Sequence, residues 1–374
     1  MNHVQVGIVG AGPAGLTLAL LLEQAGISSA VVEARSREYV EQRVRAGVLE
    51  PNTVAVFERL EVTERLEREG LVHDGIYLRR EGRTVHVPLA ELTGRHLTIY
   101  GQQEVVKDLI AACLGRGIPV EFDSPIAHPD ELECDFVAGC DGFHGVCRPA
   151  IPDELRTEYE YVYPFAWLGI LAHAAPTTDE LIYAWHERGF ALYSMRSPKI
   201  SRLYLQVPAD EDIDAWPDER IWEELQIRLG TEGWKVGEGE IFEKGITPMR
   251  SFVSTPMQHG NLYLAGDAAH IVPPTGAKGL NLAVNDVRLL ATALQAHYSS
   301  GDDSLLAAYT TSALRRVWRA QDFSNYMTQL LHDLGQGPFQ QQLQLARLEY
   351  IERSEAGARQ LAENYVGLPA QEDF

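Results

Sequence analysis

Cysteine is scarce in this chain: 4 among 374 residues, at Cys113, Cys134, Cys140 and Cys147. None forms a C-x-x-C pair, which excludes a zinc knuckle or a thioredoxin-type motif, and no metal site is expected. Free thiols of a reducing compartment are the expected state. Long apolar runs are also missing. The longest, Leu16 to Leu22, stops at Glu23, far short of the roughly 20 residues that cross a bilayer. The start of the chain has neither the basic segment nor the cleavage site of a secretory signal, so a cytoplasmic location is expected. Positive charge is in deficit: 32 Lys and Arg face 53 Asp and Glu, a net charge of −21. Such a surface argues against nucleic acid and anionic membrane as partners, because both are polyanions.

Apolar residues make up 45% and charged residues 23%. That balance supports packed cores, and the length suits two domains at about 150 residues each. The apolar run Val4 to Val9 is followed at once by Gly10-Ala11-Gly12-Pro13-Ala14-Gly15, then by the helical run Leu16 to Ala25 and Gly26 at the C-cap position. Ser29 to Glu33 reads as a second strand, completing a β-α-β unit. Gly10, Gly12 and Gly15 permit a tight turn and close approach of a pyrophosphate to the helix start beside Ala14. Glu33 is placed to accept from a ribose hydroxyl. The motif alone does not separate NAD from FAD.

Further on, Val40 to Arg68 and Gln103 to Leu114 carry helical spacing. Gly75 to Val87 reads as strand–turn–strand about Glu81-Gly82, and Asp135 to Ala138 as a strand ending at Gly139-Cys140-Asp141-Gly142. Tyr159 to Val207 predicts several antiparallel strands, and Trp216 to Leu229 a surface helix. Asn261 to Ala265 is another strand, before Gly266-Asp267-Ala268-Ala269-His270. Asp267 suits a ribityl hydroxyl or a phosphate-side group, or a helix N-cap. Leu280 to His297 and most of the chain after Ser304 are helical. The sum is an α/β protein. A Rossmann-like domain is built from discontinuous segments (1–72, 97–158 and 248–300), with a β-rich substrate domain (73–96 and 159–247) and a helical C-terminal region (301–374).

In this order the three glycine-and-acid motifs resemble the single-component flavoprotein aromatic hydroxylases, and within them the 4-hydroxybenzoate 3-monooxygenases. The resemblance extends to Arg43-Val44-Arg45-Ala46-Gly47-Val48-Leu49-Glu50, Tyr100-Gly101-Gln102, Gly139 to Gly145, Tyr163-Pro164-Phe165, Pro256 to Asn281 and Glu363 to Pro369, covering nearly the whole chain. It implies FAD in the Rossmann site and NADH or NADPH as co-substrate. The implied reaction uses O2 to convert 4-hydroxybenzoate into 3,4-dihydroxybenzoate through a flavin C4a-hydroperoxide, in a homodimer. An amino- or dihydroxybenzoate substrate and a non-catalytic flavin protein are the alternatives.

Residue by residue, the resemblance implies that Arg43, Arg45, Ala46, Gly47, Val48, Gln102 and Asp267 cradle the flavin, with Gly279, Leu280 and Asn281 at its ring edge and Lys278 adding positive charge there. Arg196, Ser194 and Tyr204 match the partners of the substrate carboxylate; Arg suits a bidentate pair better than Lys. Tyr183 matches the tyrosine on the substrate phenol, Tyr365 the second tyrosine of a proton relay and His73 its outer end. Pro274 matches the proline whose carbonyl lies against the reacting ring. His144 and Arg250 match contacts to the nicotinamide cofactor's phosphates, and Ala34, where NADPH-choosing relatives carry arginine, leans the choice towards NADH. Two further departures are a short segment between Val120 and Cys134 and Trp185, which is expected to reshape the pocket entrance.

Overall fold

The computed structural model describes residues 3–43 and 47–369. Arg45 and Ala46 of the expected flavin cradle therefore lie outside the described residues. The chain opens with β1 (Val4–Val9), α1 (Pro13–Gln24) and β2 (Ser29–Val32). β1 and β2 run parallel, with Val9 opposite Val32.

The helix predicted across 40–68 is broken into several pieces. α2 (Arg37–Gln42), β3 (Val48–Leu49), α3 (Pro51–Arg59) and α4 (Glu64–Glu69) replace it. Pro51 has no N–H to give a preceding turn and is tolerated only where a helix begins. Glu61, at φ 57, separates α3 from α4. Next come β4 (Leu71–His73), β5 (Ile76–Arg80), β6 (Arg83–Val87), α5 (Leu89–Thr93) and β7 (Leu97–Ile99). β5 and β6 form the predicted hairpin, its turn made by Glu81 and Gly82 at φ 49 and φ 75.

α6 (Gln102–Gly115), β8 (Val120–Glu121) and β9 (Cys134–Gly139) follow. Then β10 (Thr157–His173), β11 (Ile182–Trp185), β12 (Ala191–Ser197) and β13 (Ile200–Pro208) lead to α7 (Asp218–Leu229) and β14 (Glu240–Thr255). β15 (Gln258–His259), β16 (Leu262–Leu264) and β17 (His270–Ile271) precede α8 (Gly279–Ser300), α9 (Ser304–Leu331), α10 (Pro338–Arg353) and α11 (Glu355–Val366).

Three sheets result. One has the order β15-β16-β9-β1-β2-β8, parallel except at β15. Its core joins Ile8, Leu18, Leu109, Val287 and Leu294. The second has the order β17-β14-β10-β13-β12-β11-β5-β6. It is antiparallel as predicted, except that β11 pairs parallel with β5, Ile182 opposite Tyr77. The third is β3-β7-β4. Among the described residues, no helix is long and apolar enough to cross a membrane.

Side chains alternate across the second sheet with the period of two that a strand imposes. Ile182, Tyr193, Leu203 and Leu205 pack against Ile221, Leu225 and Leu229 of α7. That helix starts after Pro217 rather than at Trp216, and its inner face is buried. On the opposite face Tyr183, Trp185, Leu192 and Trp167 pack against Leu330, Leu348 and Leu361 of the C-terminal helices. Trp185 thus shares a face with Tyr183, but it serves as a bolt to α10. Its Nε1 donates to Oε1 of buried Gln344 at 2.8 Å, and the Gln344 amide donates to the Gln329 and His332 carbonyls, both at 2.7 Å.

His332, at the end of α9, is a second bolt. Its Nε2 accepts from Trp167 Nε1 at 2.7 Å, and its Nδ1 donates to the Thr328 carbonyl at 3.0 Å. Its ring stacks on Phe165 at 4.5 Å. Burial pushes its pKa down to about 3, and that of His73 down to about 4. Both therefore fold neutral. The unfolded chain takes up these protons first as the pH falls through about 6.5, so their stabilising contribution is complete above that value and is lost towards pH 4. The expected slope is up to about 1.4 kcal/mol per pH unit for each ring. Melting curves from pH 7.5 to 4.5 should show a shallower decline for His332→Gln than for the wild type; equal slopes would contradict the assignment.

Candidate active site

The glycine turn is built on two close backbone approaches. Gly10 stands at φ +105, a region open to glycine but strained for other residues, and a Cβ on Gly15 would lie 2.0 Å from the Gly10 carbonyl oxygen. A Cβ on Gly12 would meet nothing within 4 Å. Gly12 is the N-cap of α1, with no side-chain cap and no acidic residue in the first turn. Its free N–H groups and dipole face that open space. Glu33, just past β2, accepts from Ala11 N at 2.9 Å and from Arg35 N at 2.8 Å, so its carboxylate sits on the glycine loop. An open cradle, an uncapped helix start and a carboxylate at the next strand end fit a dinucleotide such as FAD.

The second motif is fixed from α8. Gly266 N donates to Asp286 Oδ2 at 3.0 Å, and His270 Nε2 lies 2.6 Å from the same oxygen. Burial alone would lower the His270 pKa; the Asp286 carboxylate outweighs it and the net direction is upward. This pair sets the turn that presents Asp267, which is exposed. The third motif supports its own loop: Asp141 Oδ2 accepts from Cys147 N at 2.9 Å, and a Cβ on Gly145 would fall 2.0 Å from the Asp141 carboxyl carbon.

Gly47 is packed so closely that a Cβ would meet the Tyr100 carbonyl oxygen at 2.4 Å. Arg43 is exposed at the end of α2, and Gln102 opens α6. Asn281 ties the α8 start to β3 and α3: its Oδ1 accepts from Glu50 N at 2.9 Å and Thr53 Oγ1 at 2.7 Å, and its Nδ2 donates to the Val48 carbonyl at 3.0 Å. Gly279 and Leu280 precede it in a first turn without acidic residues.

A second group of site residues gathers on the second sheet. Ser194 and Arg196 lie on β12 and Tyr204 on the adjoining β13, with Ser194 opposite Arg202 and Leu192 opposite Tyr204. Arg196 Nη1 donates to Ser194 Oγ at 3.0 Å and to the Met195 carbonyl at 3.1 Å. Its Nε is buried without a partner, and no carboxylate pairs with it among the described residues. Tyr204 OH accepts from Arg202 Nε at 3.1 Å. Burial would raise the Tyr204 pKa, but Arg202 and Arg196 together bring it below the usual tyrosine value.

At the other end Tyr183 and Tyr365 are both buried, their hydroxyls hydrogen-bonded to each other. Burial raises both phenols above the ordinary value. His73 is fully buried, and neither ring nitrogen has a partner in the protein. No direct hydrogen bond joins it to the tyrosine pair. Pro274 is exposed on the loop before α8, and its carbonyl accepts from Ala277 N at 2.9 Å.

His144 and Arg250, 106 positions apart in the sequence, converge on one ring. His144 meets Phe143 edge-on at 4.9 Å, and the Arg250 guanidinium lies 5.0 Å over that ring. Arg148 joins them at 4.6 Å. Sequence reasoning missed Arg148, Arg202 and Asp286. Asp286 acts on residues 16 and 20 positions away, whereas Arg202 is two residues from Tyr204 and Arg148 five from Phe143, local spacings that carry no motif of their own. Among the described residues no cluster of His, Cys, Asp or Glu forms a metal site.

A family model described as "FAD binding domain" matches residues 3–128 and 124–324. The chain is 47% identical to the p-hydroxybenzoate hydroxylase of Acinetobacter baylyi, over 98% of this chain and 95% of that one. It belongs to the FAD-dependent aromatic hydroxylases. Another relative, named "Probable NADH-specific resorcinol 4-hydroxylase", from Rhodococcus jostii, is 27% identical over 82% of this chain and 61% of its own. The structure superposes on p-nitrophenol 4-monooxygenase from Pseudomonas putida with a TM-score of 0.83 at 17% identity, covering 99% of this chain and all of that one. This hydroxylase is therefore a flavoprotein monooxygenase that uses FAD.

The two glycine positions make opposite demands. Gly12→Ala should fold with a melting temperature close to the wild type while binding FAD about ten-fold more weakly, since only the cofactor space is affected. Gly15→Ala drives a methyl group into the Gly10 carbonyl and should lose at least about 2 kcal/mol of stability. Thermal melting and FAD titration of the purified variants check both.

Proposed function

We propose that this hydroxylase converts 4-hydroxybenzoate to 3,4-dihydroxybenzoate, using O2 and NADH or NADPH. The observation that carries the reading is the half-buried Arg196, its Nε sealed from solvent without a partner, unpaired by any carboxylate among the described residues and flanked by Ser194 and Tyr204. A partly desolvated cation without a counter-ion favours an anionic ligand, and a guanidinium fork fits a carboxylate. The 47% identity to a p-hydroxybenzoate hydroxylase supports the same substrate.

In this reading Arg196, Ser194 Oγ and Tyr204 OH hold the substrate carboxylate, which directs the phenol towards Tyr183. Tyr183 Oη takes the phenol proton as its own proton passes to Tyr365 Oη, and Tyr365 releases its own proton outward towards His73 and solvent. Both tyrosines stay neutral throughout, in keeping with their raised pKa values. His73 serves the outer end of this path. The resulting phenolate is the electron-rich ring that electrophilic oxygen attacks. The chemistry that FAD would supply there when bound is hydride acceptance and oxygen activation. Gly10, Gly12, Gly15, Glu33 and Asp267 would hold FAD, with the α8 start and Lys278 at its ring edge. The Pro274 loop closes the pocket, and buried aromatic walls exclude water. His144 and Arg250, joined by Arg148, would receive the nicotinamide cofactor's phosphates, and Ala34 favours NADH.

We further propose the division into an FAD domain (1–72, 97–158, 248–300), a substrate domain (73–96, 159–247) and a helical C-terminal region (301–374) that supports a homodimer. Four free thiols suit a cytoplasmic setting.

The test is anaerobic flavin reduction by NADH and by NADPH, each with and without 4-hydroxybenzoate, followed by product analysis over a panel of amino- and dihydroxybenzoates. Strong acceleration by 4-hydroxybenzoate with 3,4-dihydroxybenzoate as product is expected. Acceleration by a different benzoate alone would move the substrate assignment, and none at all would remove it. Arg196→Ala should raise the KM about 10- to 100-fold, the worth of a charge-assisted hydrogen-bonded pair.

A further inference from the structure

After α11 ends at Val366 the chain has no regular structure, yet Gly367 and Leu368 lie partly buried, where backbone carbonyls need donors. Three cationic side chains and an amide from four parts of the chain supply them. Lys278 Nζ donates to the Tyr365 carbonyl at 2.8 Å. Arg95 donates through Nη1 to the Gly367 carbonyl and through Nη2 to Asn52 Oδ1 at 2.6 Å. Asn52 Nδ2 donates to the Leu368 carbonyl at 2.7 Å, and Arg316 Nη1 reaches that same oxygen at 3.5 Å.

Beneath this segment lies Glu50, almost fully buried. Its two oxygens accept separately from Lys278 Nζ and Arg316 Nη2, each at 2.7 Å. Gly367 stands at φ +76, and a Cβ there would fall 2.1 Å from Glu50 Oε2. The backbone is thus pressed onto the carboxylate, with room only for glycine. Lys278 and Arg316 each keep donors beyond the one given to Glu50, and Arg95 gives it none, so all three reach the strap's carbonyls. This is a built clamp rather than a frayed end: charge-assisted donors hold consecutive irregular residues at fixed points.

Tyr365 is the last residue but one of α11, and its hydroxyl is on Tyr183. Helix ends fray unless their carbonyls are satisfied. We infer that Arg95 and Arg316 are positioning residues for Tyr365, holding the strap 365–368 so that its phenol stays seated on Tyr183. The inference deepens the reading of Tyr183 and Tyr365 as a proton path and rests on it for its catalytic consequence, though not for the clamp itself.

The experiment uses the FAD-loaded, full-length protein in wild-type, Arg95→Met, Arg95→Lys, Arg316→Lys and Tyr365→Phe forms, together with the Arg95→Met/Tyr365→Phe double variant. The first readout is amide hydrogen exchange. Arg95→Met should speed exchange in a peptide covering 361–369 at least ten-fold, with β11 and α8 unchanged and FAD content retained. The second is the pH at which bound 4-hydroxybenzoate acquires its phenolate absorbance, read with the hydroxylation rate. Arg95→Met should raise that pH and slow hydroxylation about ten-fold, Arg95→Lys should recover most of the loss, and Arg95→Met should add nothing in the Tyr365→Phe background. Unchanged exchange, or full additivity with Tyr365→Phe, overturns the inference. If Arg95→Met does not fold, Arg316→Lys carries the same two readouts with the same expected outcomes. If the wild type shows no turnover of 4-hydroxybenzoate, the substrate reading fails, while exchange alone still decides whether the clamp exists.

Discussion

A half-buried arginine without a carboxylate partner among the described residues governs the middle of the second sheet. Removing a guanidinium from water is costly unless polar groups surround it. Arg196 receives a hydroxyl, a carbonyl and a tyrosine, but no anion among the described residues. Those partners can be assembled only where two strands bring alternate residues to one face, which β12 and β13 do. Arg202 on the same hairpin bonds the same tyrosine and lies 3.6 Å from Glu243 of β14. The strand order thereby sets the charge pattern: β14, β10, β13 and β12 lie side by side, so Glu243, Arg202, Tyr204 and Arg196 come from neighbouring strands.

The sheet face that carries Leu192, Trp167 and Tyr204 depends on α9. Its residues Gln321, Ser324, Thr328 and His332 recur at helical spacing, and all are buried. Gln321 donates to the Phe252 and Ile271 carbonyls, Thr328 Oγ1 meets Thr275 Oγ1 at 3.0 Å, and His332 meets Trp167. One polar stripe therefore ties the Pro273–Pro274 loop, the β14–β17 edge and the pocket's aromatic wall to a single rod. Trp167 in turn lies 4.8 Å from Tyr204, and Phe190 lies 6.2 Å from Tyr183. Both ends of the proposed ligand are thus referenced to the same helix.

That stripe also shows why part of the site could not be read in advance. Polar residues at helical spacing normally mark a solvated face, and nothing local distinguishes a buried polar seam from one. The β-α-β start was legible because strand, glycine turn, helix and acid lie within about 30 residues, each with its own local signature. The hairpin at Glu81-Gly82 was legible for the same reason. The region 40–68 was misread because apolar spacing outweighed Pro51, whose missing donor suits the start of a helix and not its middle. Arg196, Ser194, Tyr204, Tyr183 and Tyr365 became visible as a set only through resemblance. Tyr183 and Tyr365 are 182 positions apart, and the hydrogen bond between them has no trace in either neighbourhood. Glu50, Arg95, Arg316 and Asp286 went unnoticed because each acts through partners tens to hundreds of residues away or through backbone carbonyls, which carry no sequence signal.

The charge distribution joins these observations. A chain with a net charge of −21 repels anions at long range, so its field would not steer an aromatic acid or a dinucleotide inward. Salt limits that repulsion to about 8 Å at physiological ionic strength. Discrimination must then arise at contact, and the cations are concentrated there: Arg196 and Arg202 on β12 and β13, Arg148 and Arg250 around Phe143, and Lys278, Arg316 and Arg95 at the strap. Each group lies in or beside the interior, where low dielectric strengthens its pull on an anion and desolvation makes an unfilled site unfavourable. An acidic exterior around discrete basic interior sites admits anions that can satisfy a particular geometry, and it offers little to those that cannot.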